Sequence, residues 1–225
     1  MVIAVIADIV GSRRLDDRAT AQRLLDETVK RVEHDHPSAD RPFTPTVGDE
    51  QQGVYARLED AMTALLMLQL ALPDGIELRF GLGVGEIRPV STAHRELSDG
   101  PGWWAARAAI DLVHERQRRA VPHMRSWIVA APGQDEVMAS TVAASNAYLV
   151  LRDDIVSRMS GRERRLVYGR LSGRSQRALA EQEGVTQPAV SKALRSAAAA
   201  ALIAGVEQLA GTDRPGEDTD GGAAP

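Results

Sequence analysis

The alternation of strand-length and helix-length apolar patterns constrains this chain more than any other feature. Residues 2–7 form a β-branched apolar run, which reads as a buried strand ending at Asp8, and Val10-Gly11-Ser12 then breaks the pattern. A helix is expected over 18–33, with Ala21, Leu24, Leu25, Thr28, Val29 and Val32 on one face. After a loop at 37–42, residues 43–47 and 52–55 read as short strands flanking Gly48-Asp49-Glu50, a tight hairpin turn. Residues 59–72 are a strongly apolar helix closed by Pro73-Asp74-Gly75, and 76–87 a strand punctuated by glycines.

This β-α-β-β-α-β order is the ferredoxin-like arrangement, so the expected class is α/β (α+β). Beyond it come a polar loop at 91–102, a helix over 103–118 and a strand at 127–130. Pro132-Gly133-Gln134-Asp135 reads as a linker, and 140–159 as a joining helix that stops at Gly161. The expected organisation is an α+β domain over 1–131, a linker and connecting helix over 132–159, a small all-α domain over 160–210, and a disordered Gly/Pro/Asp-rich tail over 211–225.

Composition closes off several chemistries. The chain has no cysteine, which excludes disulfides, thiolate zinc sites and a cysteine nucleophile. No apolar run reaches the ~20 residues that span a bilayer. Residues 1–7 lack the basic segment and cleavage site of a signal peptide, so the expected location is cytoplasmic, with no membrane partner. The net charge of −4 hides an asymmetry: residues 158–195 hold nine Lys/Arg against three Asp/Glu, while the rest of the chain is acidic. Such a split fits one portion that meets a polyanion and another that folds as an acidic body, although an arginine-rich run also suits a solvated helix face.

Within the basic portion, Ser175 is placed to cap a helix over 176–183, Gly184 to turn the chain, and Thr186 to cap a second helix with Pro188 in its first turn. Ala180, Gly184 and Val190 have the spacing of a helix-turn-helix, with Val185 and Leu194 completing its small core. Ser175, Gln176, Thr186, Gln187, Ser191, Lys192 and Arg195 are the candidate DNA contacts. The stretch "MSGRERRLVYGRLSGRSQRALAEQEGVTQPAVSKALRSA" resembles region 4 of sigma factors, which implies DNA as a partner. The competing reading is a helical bundle for dimerisation.

Asp8 and Asp49 form the second constellation. In this topology the first strand pairs antiparallel with the third, so the end of one lies beside the start of the other. The two carboxylates then converge at one edge of the sheet, next to Gly11-Ser12, as a hard-oxygen site for Mg²⁺ with phosphate co-ligands. Taken singly, Asp8 would cap the loop and Asp49 would serve the turn.

"IADIVGSRR" resembles the opening strand and loop of class III nucleotidyl cyclases, and "TVGDEQQGVY" their metal-binding hairpin. "RFGLGVGEI" is similar to a later strand of that palm-type fold, and "GPGWWAARAAI" to the helix that carries a transition-state arginine, here Arg107. Together the segments also resemble the SatD family, with its "GDI…SR", "GDE.QG" and "DGP…AR" patterns. The resemblance implies Asp8 and Asp49 as ligands of Mg²⁺ or Mn²⁺, and Ile9, Val10, Gly11, Ser12 and Arg13 as a phosphate-binding loop. It also implies Arg107 as the catalytic arginine, a nucleoside triphosphate or related nucleotide as ligand, and a homodimer. Two departures stand out: Trp103 occupies the place of the usual asparagine, and no lysine–aspartate pair for selecting the base is evident.

Other residues carry weaker signals. Trp103 and Trp104 either stack on a base or wedge helix against sheet, and the wedge is preferred. Arg13 and Arg14 either neutralise phosphate or are solvated. His34 and His36 flank Asp35 without a second ligand cluster, Glu86 is a possible extra acid, and residues 116–119 suit a helix C-terminus. The expected function is a DNA-binding regulator whose cyclase-like domain senses a nucleotide with Mg²⁺. The alternative is a metal-dependent cyclase or nucleotidyltransferase tethered to DNA.

Overall fold

In β1 (Val2–Ile9) alternate side chains divide between two helical layers: Ile3, Val5, Ala7 and Ile9 enter one core, Ala4 and Ile6 the other. The fold is a computed structural model that describes residues 2–12, 17–46, 48–91 and 96–211. The elements follow as α1 (Arg18–Asp35), β2 (Arg41–Pro45), β3 (Gln51–Tyr55), α2 (Leu58–Ala71) and β4 (Leu78–Gly85). Then come β5 (Arg88–Ser91), β6 (Glu96–Asp99), α3 (Pro101–Arg119) and β7 (Ser126–Ala130). The C-terminal part is helical: α4 (Glu136–Ser157), α5 (Gly161–Leu171), α6 (Gln176–Glu183), α7 (Gln187–Leu194) and α8 (Ala197–Gly211).

The five-stranded sheet has the order β2-β3-β1-β4-β7. β1 runs antiparallel to both β3 and β4, with Ala7 opposite Gln51 and Asp8 opposite Arg79, and β7 adds parallel to β4. The first four strands with α1 and α2 form the expected β-α-β-β-α-β unit, and the class is α+β.

Glycine shapes β4. Phe80, Leu82 and Val84 point into the α1/α2 core, while Gly81 and Gly83 face α3. A Cβ on Gly83 would overlap the Gly102 carbonyl oxygen and the Ala106 amide nitrogen, and one on Gly81 the Ala106 carbonyl oxygen. The bare strand therefore lets α3 lie directly on sheet backbone. That close approach is what fixes the height of α3, and with it Arg107.

α2 is buried on every side, as its all-round apolar sequence requires, and takes α1 and the sheet on one flank and α5 and α8 on the other. Leu166, Leu179, Val190, Leu194 and Leu202 thus join the same core as the strands. Polar ties reinforce the joint. Tyr168 donates to Asp35 at 2.7 Å, Arg174 approaches the same carboxylate at 3.4 Å, and Arg164 meets Asp74 and the Leu72 carbonyl.

The segment expected as linker and connecting helix lies along β7. Asp135 caps α4 through the Met138 N–H, and Asn146 both accepts from Ile128 N–H (2.8 Å) and donates to Ile128 C=O (2.9 Å). Asp153 accepts from the backbone N–H groups of Arg125 and Ser126 at 2.7 and 2.8 Å. It is also paired at 2.8 Å with Arg152, and both side chains are fully buried.

Two expectations are corrected. The region 91–102 contains β6, which pairs with β5 as a separate hairpin; a two-stranded ribbon off the main sheet needs no regular apolar face, so no periodicity announced it. Gly161 does not stop the joining helix but opens α5, because Ser160 and Glu163 form a reciprocal capping box around it. Among the described residues no single helix is long and apolar enough to cross a membrane.

Candidate functional site

The register of β1 sends Asp8 to the α3 side of the sheet, at the rim where the β2–β3 turn folds over. Gly48, at φ +72°, supplies the left-handed turn residue that precedes Asp49. Asp49 reaches back to β1: its Oδ2 accepts the Ile9 N–H at 3.3 Å, and its Oδ1 lies 3.9 Å from Arg18. The two aspartates are therefore neighbours, as the strand order required.

Asp8 is not a free carboxylate. Arg79, opposite it on β4, donates from Nε to Oδ1 at 2.8 Å and from Nη2 to Oδ2 at 3.1 Å, and its Nη1 lies 3.1 Å from His114 Nδ1. Burial raises the Asp8 carboxyl above the ordinary aspartate range; Arg79 pulls the other way, and the Asp49 charge adds to the rise. The paired oxygens suit Mg²⁺ or Mn²⁺ by donor type, but any cation must share Asp8 with the guanidinium or displace it. No cluster of three or more His, Cys, Asp or Glu able to hold a metal occurs among the described residues.

In the expected phosphate loop, the Ile9 N–H is committed to Asp49 and the Val10 N–H to the Glu77 carbonyl at 2.8 Å. The N–H groups of Gly11 and Ser12 have no partner among the described residues, and Gly11 takes φ +68°. Arg13 and Arg14 lie outside the described residues. Arg107, half exposed, donates to Glu50 at 2.6 Å, so α3 delivers its arginine to the aspartate hairpin.

The tryptophans separate. Trp103 is buried with Ala4, Ile6 and Ala106, wedging α3 on the sheet, and donates to Ser98 at 2.8 Å. Trp104 does not wedge: it is 63% exposed, with its Nε1 on Asp99, because it sits one residue round the helix and faces solvent. Glu86 is exposed and paired with Arg88. Arg79, His114 and Glu50 escaped the sequence reading. A lone arginine between the apolar neighbours Leu78 and Phe80 was the available signal for the first.

In the C-terminal helices, the Ser175 side chain accepts from the Ala178 N–H and that of Thr186 from the Ala189 N–H, so both act as caps. Gly184 turns the chain at φ +64°, and Val190 is fully buried. Gln187, Lys192 and Arg195 are exposed, and Gln176 and Ser191 half-buried. Most of the basic excess is spent internally. Arg158, Arg162, Arg164, Arg165, Arg174 and Arg177 meet Asp154, Glu183, Asp74, Glu183, Asp35 and Glu181 respectively. Arg170, Lys192 and Arg195 have no carboxylate partner among the described residues.

A model of the SatD family matches residues 2–205. No curated protein sequence matches the chain. Among solved structures, a dimeric guanylyl cyclase domain of a RhoGC fusion protein from the aquatic fungus Blastocladiella emersonii aligns at 16% identity and a TM-score of 0.40, covering 49% of this chain and 72% of that one. A bacterial light-regulated adenylyl cyclase aligns at 12% identity and a TM-score of 0.40, over 53% and 71%. A guanylate cyclase domain from Catenaria anguillulae in complex with GTP aligns at 17% and 0.34, over 45% and 66%.

Proposed function

We propose that this chain, which belongs to the SatD family, is a DNA-binding regulator whose α+β portion takes a nucleotide at the Asp8–Asp49 rim. The observation that carries the DNA reading is the placement of unspent charge. Of the three cations in 158–195 that meet no carboxylate among the described residues, Lys192 lies on α7 and Arg195 at its C-cap, and both are exposed. With Gln187 they form a polar face on the second helix of a helix-turn-helix, suited to phosphates and base edges. Replacing Lys192 or Arg195 by alanine is expected to weaken binding to a duplex from upstream of its own operon. The salt slope should fall by about one for each phosphate that the side chain neutralises. Unchanged affinity and slope in both variants would refute the assignment.

For the nucleotide, the N–H groups of Gly11 and Ser12, which have no partner among the described residues, offer phosphate donors, and Asp8 and Asp49 would hold Mg²⁺, which would supply positive charge to the phosphates. Arg79 on Asp8 and Trp103 at the asparagine place favour binding over turnover. Incubation with each nucleoside triphosphate and Mg²⁺ or Mn²⁺ is expected to give saturable binding without product, weakened about tenfold or more in Asp49→Ala. A product that vanishes in Asp49→Ala would replace the regulator by the alternative, a cyclase or nucleotidyltransferase held on DNA. The family resemblance also favours a homodimer, with a two-fold DNA site to match.

A further inference from the structure

Away from the aspartate rim, the C-terminal end of α1 and the chain that follows it curl over β2, β3 and α2 and enclose a cavity of about 110 Å³. Val29, Val32, Ala64 and Leu68 give it apolar walls, and Phe43 and Tyr55, which pack edge to face with centroids 6.3 Å apart, complete its lining. Its polar groups are not matched to one another. His36 Nε2 and Ser38 Oγ are buried with no hydrogen-bond partner. Glu33 accepts the Phe43 N–H at 2.8 Å but meets no lysine or arginine among the described residues. Buried polar atoms are normally satisfied, so orphans gathered in one cavity call for an occupant.

The signs of these groups select its chemistry. Burial holds the Glu33 carboxyl above its usual range and the His36 imidazole below its own. Asp60 acts on both His36 and Tyr55 and pairs with Arg57 at 4.0 Å. The cavity thus gathers an imidazole, a hydroxyl and a carboxylate, with two aromatic rings in its wall. An imidazole nitrogen, a hydroxyl and a carboxylate suit one donor of several N–H bonds, and aromatic rings favour a cation. A water fills about 30 Å³, so the volume corresponds to three or four waters or to an alkyl chain of about five heavy atoms.

We infer that this cavity binds a small protonated primary amine, with Glu33, His36 and Ser38 around the ammonium and Phe43 and Tyr55 against its alkyl chain. The site is separate from the aspartate rim and from α7. Its wall includes Glu33 and His36, which bracket Asp35, the carboxylate that Tyr168 and Arg174 hold from the C-terminal helices. Occupancy therefore bears on the joint between the two parts of the chain.

The two phenylalanines of the sequence, Phe43 and Phe80, make the test direct. In the full chain labelled with 4-fluorophenylalanine, two fluorine resonances are expected, assigned with Phe43→Leu. Titration with n-butylammonium chloride should move the Phe43 line saturably and leave the Phe80 line in place, with KCl as the ionic-strength control. The uncharged n-butanol should bind about tenfold or more weakly, and Glu33→Gln, which keeps the acceptor for Phe43 N–H, should remove most of that preference. Equal response to amine and alcohol would mean an apolar hole without cation selectivity, and no response to either would mean a cavity filled by water alone. Either result overturns the inference, as does a Glu33→Gln variant that binds the amine like wild type.

Discussion

Replacing Asp153 by alanine is expected to destabilise the protein by about 3–5 kcal/mol, the largest loss for any single polar side chain here. The carboxylate accepts two backbone N–H groups of the β7 region, takes the Gln69 amide at 3.0 Å, and neutralises Arg152, which is itself fully buried. Its removal leaves the two backbone N–H groups without that acceptor and Gln69 with only Ser126 Oγ at 3.4 Å. Arg152 would keep only Ser126 Oγ at 2.6 Å and the Met62 carbonyl at 3.1 Å for a charge that water cannot reach. Urea unfolding should show the midpoint falling sharply with little change in slope. The double variant Arg152→Met/Asp153→Leu separates the contributions. If the unpaired charge dominates, the double change recovers most of the loss; if the strand N–H groups dominate, it stays as unstable as the single variant.

The second large effect is expected at Gly83. A methyl group there would overlap the backbone of α3 at Gly102 and Ala106, and backbone cannot rotate away as a side chain can. Gly83→Ala should cost about 3 kcal/mol, at the upper end for overpacking, or be relieved by lifting α3 off the sheet. Lifting would carry Arg107 away from Glu50, so the variant should lose the proposed nucleotide binding more than its stability alone accounts for. Gly53→Ala is the control: its Cβ would lie 3.3 Å from the Phe43 ring, an approach that a small ring shift relieves. A Gly83→Ala variant no less stable than Gly53→Ala would mean that α3 does not rest on bare strand.

Much of this was legible along the chain because it is local. Caps at Ser175 and Thr186, the turn at Gly184 and the all-round apolar α2 are each decided by residues within a few positions of one another. The meeting of Asp8 and Asp49 could also be anticipated, since strand order alone dictates it. Arg79 could not: its partnership with Asp8 depends on the β1–β4 register, which no short window encodes. Glu50 and Arg107 are 57 positions apart and meet only because glycines in β4 let α3 settle. The helix α4 was legible as a helix, but its packing on β7 was not, because the residues that serve the strand, Asn146 and Asp153, are polar and carry no apolar signal.

The service α4 renders to β7 has a consequence for assembly. An outer strand ordinarily offers a row of unpaired N–H and C=O groups on which another chain can build. Here Asn146 and Asp153 answer those of β7 at Arg125, Ser126 and Ile128. At the opposite rim Glu33 takes the Phe43 N–H, and Pro42 and Pro45 have none to give. Both margins of the five-stranded sheet thereby offer fewer unpaired N–H groups for strand addition, and polymerisation by extension of that sheet is disfavoured in the native state.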